Sequence, residues 1–448
     1  MDSQQEHVIR QVGERNVNNV RLMFVDVLGL LKSITIAPVE LERAFTEGVA
    51  FDGSSVEGFT RIAESDMLLF PDATTFQVRP QLNHDGEETA IGRMFCDVFN
   101  PDGTRSHSDP RYVLERTMER AQSQGFVPYI HPEIEFYLFQ MPKTLDDELI
   151  PIDRGGYFDH VSGGIGNEFR RAAVRALEDL GISVELSHHE SGPGQNEIDL
   201  RSVDALSCAD NLVTARGVIE EIALSRGLLA TFMPKPVIDY PGNGLHLHFS
   251  LHEGDRNVFY DPAASDHLSI VGRQFTAGVL HYAREISAVV NQHVNSYKRL
   301  WGGDEAPAFV CWGHHNPSAL LRVADHKPGL HTSTRVEYRA PDPALNPYLA
   351  FALIVEAGLR GVEQRLELPE EAEENVWTMS ASERLAVGID SLPRSLEDAI
   401  QYLETSQLVP EVLGEEAFDF VLRTRLAEWK DYRHQVTAQE KRQLLRLY

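Results

Sequence analysis

The sequence predicts an α+β protein with a small N-terminal domain and a larger C-terminal domain that is rich in antiparallel strands. Its 448 residues, of which 42% are hydrophobic, suffice for more than one buried core. Strand-like runs dominate the first hundred residues, whereas long helical segments separate the later strands. A turn-rich break at residues 100–106 separates the two patterns, and we therefore expect domains at 1–104 and 105–448.

The N-terminal elements follow from local patterns. An opening helix is expected near residues 4–13, and strand-like runs follow at 20–27 and 31–36 around a glycine-containing turn. Residues 41–47 favour a short helix, and prolines punctuate further short strands up to 94–98. A small sheet with accompanying helices is therefore expected.

In the C-terminal part, Pro110 opens a helical stretch that runs to Gln124, because proline is well tolerated in the first turn of a helix. Further helices are expected at 167–180 and 209–226, with strands carrying glutamate or histidine between them. The most apolar segment, 349–355, is far shorter than the ~18 residues of a membrane span. It is expected to form a buried helix, so no membrane association is predicted.

Charge excludes nucleic acid as a partner. The chain has 68 acidic and 41 basic side chains, a net charge of -27, and such a surface repels a phosphate backbone. The excess suits a salt-rich cytoplasm, or equally ordinary solubility together with carboxylates reserved for metal. Composition alone leaves these two explanations open.

Cysteine usage indicates a reducing compartment. Cys96, Cys208 and Cys311 are odd in number and lack CxxC spacing, so neither a disulfide framework nor a zinc site is expected. The N-terminus lacks the basic and apolar regions of a signal peptide. We therefore expect a cytoplasmic protein.

The segment 241–250 contains two histidines in an apolar run that follows a glycine-rich turn. His246 and His248 are two residues apart, so on a strand both imidazoles leave the same face. Such a pair can bind metal or phosphate, although buried histidines are more often simply hydrogen-bonded. The pair therefore needs support from other residues.

Paired carboxylates supply that support. Glu133 and Glu135 have the same strand spacing as the histidines and place two anions on one face. A lone pair of this kind is usually solvated at a sheet edge. Glu190 and Glu197, however, flank a glycine-containing loop that returns the chain, so that both can meet.

A third charged segment alternates basic and acidic residues with apolar ones. Arg335, Glu337 and Arg339 share one face of a predicted strand, where they can pair with one another or contribute to a site. Five glutamates and one imidazole on inward-facing positions form an oxygen-rich set suited to Mg²⁺ or Mn²⁺. Positive charge for phosphate or carboxylate is then expected from Arg299, Arg322, Arg335 and Arg339. Together these residues predict metal-assisted phosphoryl transfer.

The motifs resemble those of the type I glutamine synthetases along essentially the whole chain. The matching segments are 51–55, 64–66, 133–135, 235–250, 295–299, 305–307, 335–339 and 346–348. The resemblance implies an N-terminal β-grasp domain followed by a catalytic α/β domain shaped as a funnel. It also implies a homo-dodecamer of two stacked hexameric rings with active sites between subunits. The implied reaction joins ammonia to the γ-carboxylate of L-glutamate through γ-glutamyl phosphate, with ATP as the phosphoryl donor.

The resemblance also implies a role for each matching residue. It implies two divalent ions per active site, Mg²⁺ or Mn²⁺. Ligands of the first are Glu135, Glu190 and Glu197. Ligands of the second are Glu133, His246 and Glu337. Residues implied to contact ATP are His248, Ser250, Arg322 and Arg335.

The remaining implied roles concern glutamate and ammonium. Arg299 and Arg339 resemble the residues that hold glutamate and the transferred phosphoryl group, beside Gly242. Residues implied to bind ammonium are Ser55, Tyr157, Glu190, Glu305 and Asp52, the last from the neighbouring subunit and acting as the base. Glu305 is also implied to close over the intermediate and exclude water.

Some positions depart from the family pattern. Pro317 stands where the family usually has an arginine, so one phosphate-binding guanidinium and one backbone donor are missing. The departures surround the substrate and leave open γ-glutamylation of a polyamine or another primary amine. A non-catalytic nitrogen-sensing relative is a further alternative, although all six metal-ligand positions are kept.

Overall fold

The protein folds around two large sheets, as the α+β prediction expects. Residues 17–99 form the first sheet and residues 127–338 contribute the strands of the second. The computed structural model describes residues 1–58, 66–82, 88–144, 147–160, 164–302, 306–323 and 333–445.

The N-terminal sheet has the strand order β2-β1-β6-β4-β3, and β5 also pairs with β6. Its strands are β1 Val17–Val25, β2 Leu31–Ile36, β3 Val49–Asp52, β4 Asp66–Pro71, β5 Gln77–Leu82 and β6 Glu88–Phe99. Helices α1 Ser3–Glu14 and α2 Leu41–Glu47 accompany it. Strand alternation divides its two faces, because Leu22 and Phe24 join the N-terminal core while Met23 and Val25 join the core of the second part.

The second sheet has the order β15-β16-β17-β12-β7-β9-β8, and most of its pairings are antiparallel. Its strands are β7 Val127–Gln140, β8 Val184–His189, β9 Gln195–Leu200, β10 Val203–Asp204, β11 Leu228–Thr231, β12 Leu245–Glu253, β13 Arg256–Asn257, β15 Trp312–Gly313, β16 Leu321–Val323 and β17 Val336–Tyr338. A separate pair is formed by β14 Phe309–Val310 and β18 Asp390–Ser391.

Helices accompany the second sheet, and most of them contribute buried residues to its core. They are α3 Pro110–Ser123, α4 Ile165–Asp179, α5 Ala205–Ser225, α6 Ile270–Val290, α7 Val294–Leu300, α8 Pro347–Gln364, α9 Ala381–Ala386, α10 Leu396–Thr405, α11 Leu408–Leu413, α12 Glu415–Arg433 and α13 Ala438–Leu444. The predicted buried helix at 349–355 is confirmed, since α8 is almost entirely buried against α6 and α3. None of the helices in the described ranges is long and apolar enough to cross a membrane.

Helix starts are explained by capping. Asp109 accepts a hydrogen bond from the Arg111 amide, so α3 begins at Pro110 as predicted. Asp204 accepts from the Ser207 amide, so α5 begins before the predicted start at residue 209. The predicted domain boundary near residue 104 lies between β6 and α3 and stays a prediction.

Candidate active site

A cleft of about 1010 Å³ opens above the centre of the second sheet. Pairing registers bring the predicted ligands into one row across its floor. Glu133 on β7 lies opposite His246 on β12, and Glu135 lies opposite Glu197 on β9. Glu337 on β17 lies opposite His248, next to His246 along β12. The strand period of two keeps these side chains on one face.

One half of the row is a compact group around His246. Its Nδ1 lies 3.2 Å from Glu133 Oε2 and 3.5 Å from Glu337 Oε1. One ligand atom from each of these three residues lies within 4.8 Å of the others. Glu337 is fully buried, with Arg322 Nε at 2.5 Å and Arg339 Nη1 at 2.8 Å. Burial alone would raise the pKa of Glu337, but Arg339 and the two histidines outweigh it and lower it to about 2.

The other half of the row is more acidic. Ligand atoms of Glu190, Glu197 and His188 lie within 4.8 Å of one another, and His188 Nε2 is 3.0 Å from Glu197 Oε1. Glu135 is not in that compact group. It accepts hydrogen bonds from the Gly244 amide at 2.7 Å and the Gln195 side chain at 3.1 Å.

The electrostatics of this half favour a bound cation. Burial, and then repulsion from Glu190, raises the pKa of Glu135 to about 8. Burial, and then Glu135 and Glu133, raises the pKa of Glu197 to about 10. A divalent cation would remove this penalty, because its charge compensates carboxylates that repel one another. Carboxylate oxygens with an imidazole form a donor set that fits Mg²⁺ or Mn²⁺.

Metal binding should therefore tighten as the pH rises. Burial and mutual repulsion raise the pKa of Glu135 and Glu197 and so favour their protonated forms, and we expect a divalent ion to displace protons when it binds. We expect the Kd for Mn²⁺ to fall about tenfold per pH unit for each displaced proton between pH 6 and 8. Isothermal titration in buffers of different ionisation enthalpy would count those protons. A Kd that does not change with pH would contradict this electrostatic account.

The predicted substrate arginines lie beside the row. Arg299 is buried, and its guanidinium donates to the carbonyls of Ala340 and Pro341 at 2.6 and 3.0 Å. Gly242 and Gly244 pass so close to Arg299 that a side chain at either position would collide with it. The glycine-rich turn of the sequence therefore allows the backbone to approach the guanidinium closely.

Replacing Gly244 with alanine should impair the site without unfolding the protein. The added Cβ would lie 2.8 Å from Arg299 Nη2 and 3.0 Å from His246 Nε2, so both groups must move. We expect kcat/KM to fall on the order of a hundredfold, as for a reacting group displaced by ~1 Å. Gly13→Ala is the matched control, because a Cβ there meets no atom within 4 Å. Equal activity of both variants would show that the glycine has no positioning role.

Of the four residues predicted to contact the nucleotide, one lines the cleft and three are not among its described lining residues. Arg322 lines the cleft, whereas His248, Ser250 and Arg335 are not among its described lining residues. His248 Nε2 instead contacts Glu133 Oε1 at 2.7 Å, and the Ser250 hydroxyl lies 3.2 Å from His252 Nε2. The structure thus joins His248 to the row through Glu133.

Pro317, the main departure from the family pattern, lines the same cleft. The neighbouring Asn316 side chain donates to the carbonyls of Ala372 and Glu374 at 2.7 and 2.8 Å. It also accepts from the Ser318 amide at 2.9 Å. These bonds fix the loop, and a pyrrolidine ring with no charge faces the cleft where the family usually has a guanidinium.

The residues predicted to bind ammonium lie in two parts of the structure, the cleft and the end of β3. Tyr157 and Glu190 line the cleft, but Asp52 and Ser55 are not among its described lining residues. They lie at the end of β3, where the Ser55 hydroxyl donates to Asp52 at 2.9 Å. Hydrogen bonds from Ser54 and Ser55 lower the pKa of Asp52. Glu305 lies outside the described residues.

Two residues of the row were not predicted to belong to the site. His188 lies opposite Glu197 on β8, and Asp199 lies opposite Glu133 on β9. Burial, and then Glu197 and Glu133, raises the pKa of Asp199 to about 9. The spacing of Glu197 and Asp199 equals that of Glu133 and Glu135 and would have revealed Asp199.

Known proteins match this chain over its whole length. The family model of the glutamine synthetase β-grasp domain matches residues 16–101, and that of the glutamine synthetase catalytic domain matches residues 107–444. A glutamine synthetase of Mycolicibacterium smegmatis is 51% identical over 447 residues, covering all of both chains. One from Staphylococcus aureus is 41% identical over 99% of this chain and 98% of its own.

A solved structure has the same fold. It is titled "GmaS/ADP complex-Conformation 1", is 28% identical, and covers 98% of this chain and 99% of its own with a TM-score of 0.86. The N-terminal sheet is therefore a β-grasp domain, and the second part is a glutamine synthetase-type catalytic domain. The chain belongs to the glutamine synthetase family and is an ATP-dependent ligase that acts on small molecules and uses a divalent metal.

Proposed function

We propose that this ligase joins ammonia to the γ-carboxylate of L-glutamate, giving glutamine, ADP and phosphate. The observation that carries the proposal is the row of carboxylates and imidazole beside Arg299 and Arg339 in one cleft. Phosphoryl transfer from ATP to a carboxylate brings two anions together, and only a strongly cationic environment makes that favourable.

Metal ligation is assigned to the row as follows. Glu133, His246 and Glu337 hold one Mg²⁺ or Mn²⁺, and Glu135, Glu190 and Glu197 hold the other. When bound, the ions neutralise phosphate oxygens and the developing charge of the transfer. The compactness of the first group and the raised pKa values of the second support this division.

The arginines bind and orient the reactants. Arg299 and Arg339, with the Gly242 backbone, hold glutamate so that its γ-carboxylate faces the γ-phosphoryl group. His248, Ser250, Arg322 and Arg335 contact the nucleotide. With the γ-carboxylate held in line with the bond between the β- and γ-phosphates, its oxygen attacks the γ-phosphorus and ADP leaves. The product is γ-glutamyl phosphate.

The second step is attack of ammonia on the activated acyl group. Tyr157 and Glu190 line one wall of the ammonium site, and Ser55 and Asp52 of a neighbouring subunit complete it in a dodecamer of two stacked hexameric rings. Asp52 takes the proton from ammonium. Glu305 closes over the acyl phosphate, which keeps out water and prevents wasteful hydrolysis. The location of Asp52 outside its own chain's cleft fits an active site shared between subunits.

A larger primary amine is the second candidate acceptor, and apolar side chains beside acidic ones in the cleft favour it. Phe158, Leu186 and Ile238 line the cleft, which also contains Tyr157 and Glu190, and Ile238 is 76% exposed. An acidic site with apolar neighbours would suit the charged end and the carbon chain of an alkylamine.

Acceptor choice is tested by measuring phosphate release from ATP with glutamate, Mg²⁺ or Mn²⁺, and ammonium, ethanolamine, putrescine or spermine. Mass spectrometry identifies the amide, and a reaction without amine measures simple hydrolysis. Glutamine formed with ammonium supports the proposed reaction. An amide formed only with a larger amine would replace it by the second candidate.

A further inference from the structure

A second cavity, of about 240 Å³, lies between the β-grasp sheet and helix α5, away from the active-site cleft. Its sheet side is lined by Arg21 on β1, Arg79 on β5 and Arg93 on β6. Its helix side includes Thr214 and Gly217. Three guanidinium groups around one small cavity are unexpected in a chain whose net charge is -27.

The β-sheet itself brings two of these charges together. Arg21 and Arg93 are register partners on the parallel strands β1 and β6, so their side chains leave the same face side by side. Like charges in directly opposite positions of a sheet are destabilising. Burial, and then the proximity of Arg79 and Arg21, lowers the pKa of Arg93 to about 10. Repulsion from Arg21 and Arg79 therefore adds to the cost of burying the Arg93 guanidinium.

The described partners leave positive charge uncompensated. Arg93 donates to the neutral Gln77 side chain at 2.8 Å and to the Thr214 hydroxyl at 2.9 Å. Arg79 pairs with Glu221, the only acidic residue among the described lining residues, at 2.5 Å. Within the described ranges, the side chain of Arg21, an exposed residue, makes no hydrogen bond or ion pair with the protein.

Gly217, on the helix side of the cavity, is a second observation that indicates a ligand site. It lies inside α5, where glycine is an unfavourable helix residue. A Cβ built on Gly217 would meet no atom within 4 Å, so protein packing does not require the glycine. Its absent side chain leaves open space at the cavity wall.

We propose that this cavity binds a small dianion whose several oxygens accept hydrogen bonds from the three arginines and from Thr214. Guanidinium groups match phosphate and carboxylate oxygens in charge and geometry. Inorganic phosphate and a short dicarboxylate share this chemistry, and both are small enough for the cavity. The bound anion holds the β-grasp sheet against α5.

The test compares anion binding by the full-length protein and two variants at constant ionic strength. Isothermal titration with phosphate and with succinate shows which of the two kinds of dianion binds. Titration with acetate, a monoanion, measures non-specific charge screening. Arg21→Gln removes the uncompensated guanidinium, and Gly217→Leu fills the cavity from the helix side. Arg43→Gln is the control, because Arg43 is an exposed arginine paired with Glu47 and is not among the described lining residues of the cavity.

We expect phosphate or succinate to bind the parent and the Arg43→Gln control equally. Arg21→Gln and Gly217→Leu should each bind at least tenfold more weakly, with unchanged kcat and KM for the ligase reaction. Neither change alters an active-site arginine, so anion binding in the active site should not change. The ligase reaction is measured separately, and its absence would not affect the result for this cavity. Equal affinity in all four proteins, or acetate binding as tight as that of the dianions, would overturn the proposal.

Discussion

Replacing Glu337 with glutamine should lower kcat/KM by about a thousandfold while the fold is kept. Glu337 is buried at the β17 end of the row, where it faces His246 and pairs with Arg322 and Arg339. The amide has the same shape but no charge, so a metal ligand is weakened and two guanidiniums lose their shared counter-ion. A loss of about 4 kcal/mol in transition-state stabilisation corresponds to that factor.

The matched control is Glu356→Gln. Glu356 is also a buried glutamate paired with two arginines, Arg120 at 2.8 Å and Arg360 at 3.0 Å, but it lies on α8 and does not line the cleft. Its change should cost stability and leave kcat/KM within about twofold of the parent. Steady-state kinetics and Mn²⁺ titration of both variants provide the comparison. A similar loss of activity in both would show that stability, and not the row, explains the effect.

Residues with a local periodic signal were predictable from the sequence. Glu133 and Glu135, or His246 and His248, reveal their common face by spacing alone, because side chains alternate along a strand. Helix α2 was predicted at its observed bounds, and α3 at its observed start, where a proline follows a capping aspartate. These features depend on a few adjacent residues.

Features that depend on distant pairings were not predictable in the same way. The contact of Arg322 with Glu337 requires the register of β16 against β17. The adjacency of Arg21 and Arg93 requires β1 to pair with a strand that begins about 70 residues later. The periodicity of one strand does not reveal which strand it pairs with, so the resemblance to a known family was needed to divide the ligands between two metal ions and to give each residue its role.

Long-range pairing also joins the two domains through one buried cation. Arg111, at the start of α3, contacts Asp72 at 2.8 Å and Asp97 at 2.7 Å in the β-grasp domain. It also contacts Asp210 on α5 at 3.2 Å, and the Tyr348 hydroxyl donates to Asp210 at 2.6 Å. The β-grasp sheet, which carries Asp52, is thus tied to the helices that cover the second sheet.

Replacing Arg111 with methionine should therefore destabilise the protein by about 3–5 kcal/mol, because it leaves the buried Asp210 and the half-buried Asp72 and Asp97 without their shared cation. The loss should be smaller at pH 5.5 than at pH 8. Without Arg111, burial raises the pKa of Asp72 and Asp210 above their unfolded values, so the folded variant binds more protons and loses stability as the pH rises.

Urea unfolding followed by circular dichroism at both pH values, at one protein concentration, measures this dependence. Arg43→Met is the control, since Arg43 and Glu47 form a solvent-exposed pair whose loss should leave stability almost unchanged. A destabilisation by Arg111→Met that is small, or that is equal at both pH values, would show that the carboxylates are satisfied without the guanidinium. The domains would then be held together by apolar packing of residues such as Met23, Val25 and Phe95 in the shared core.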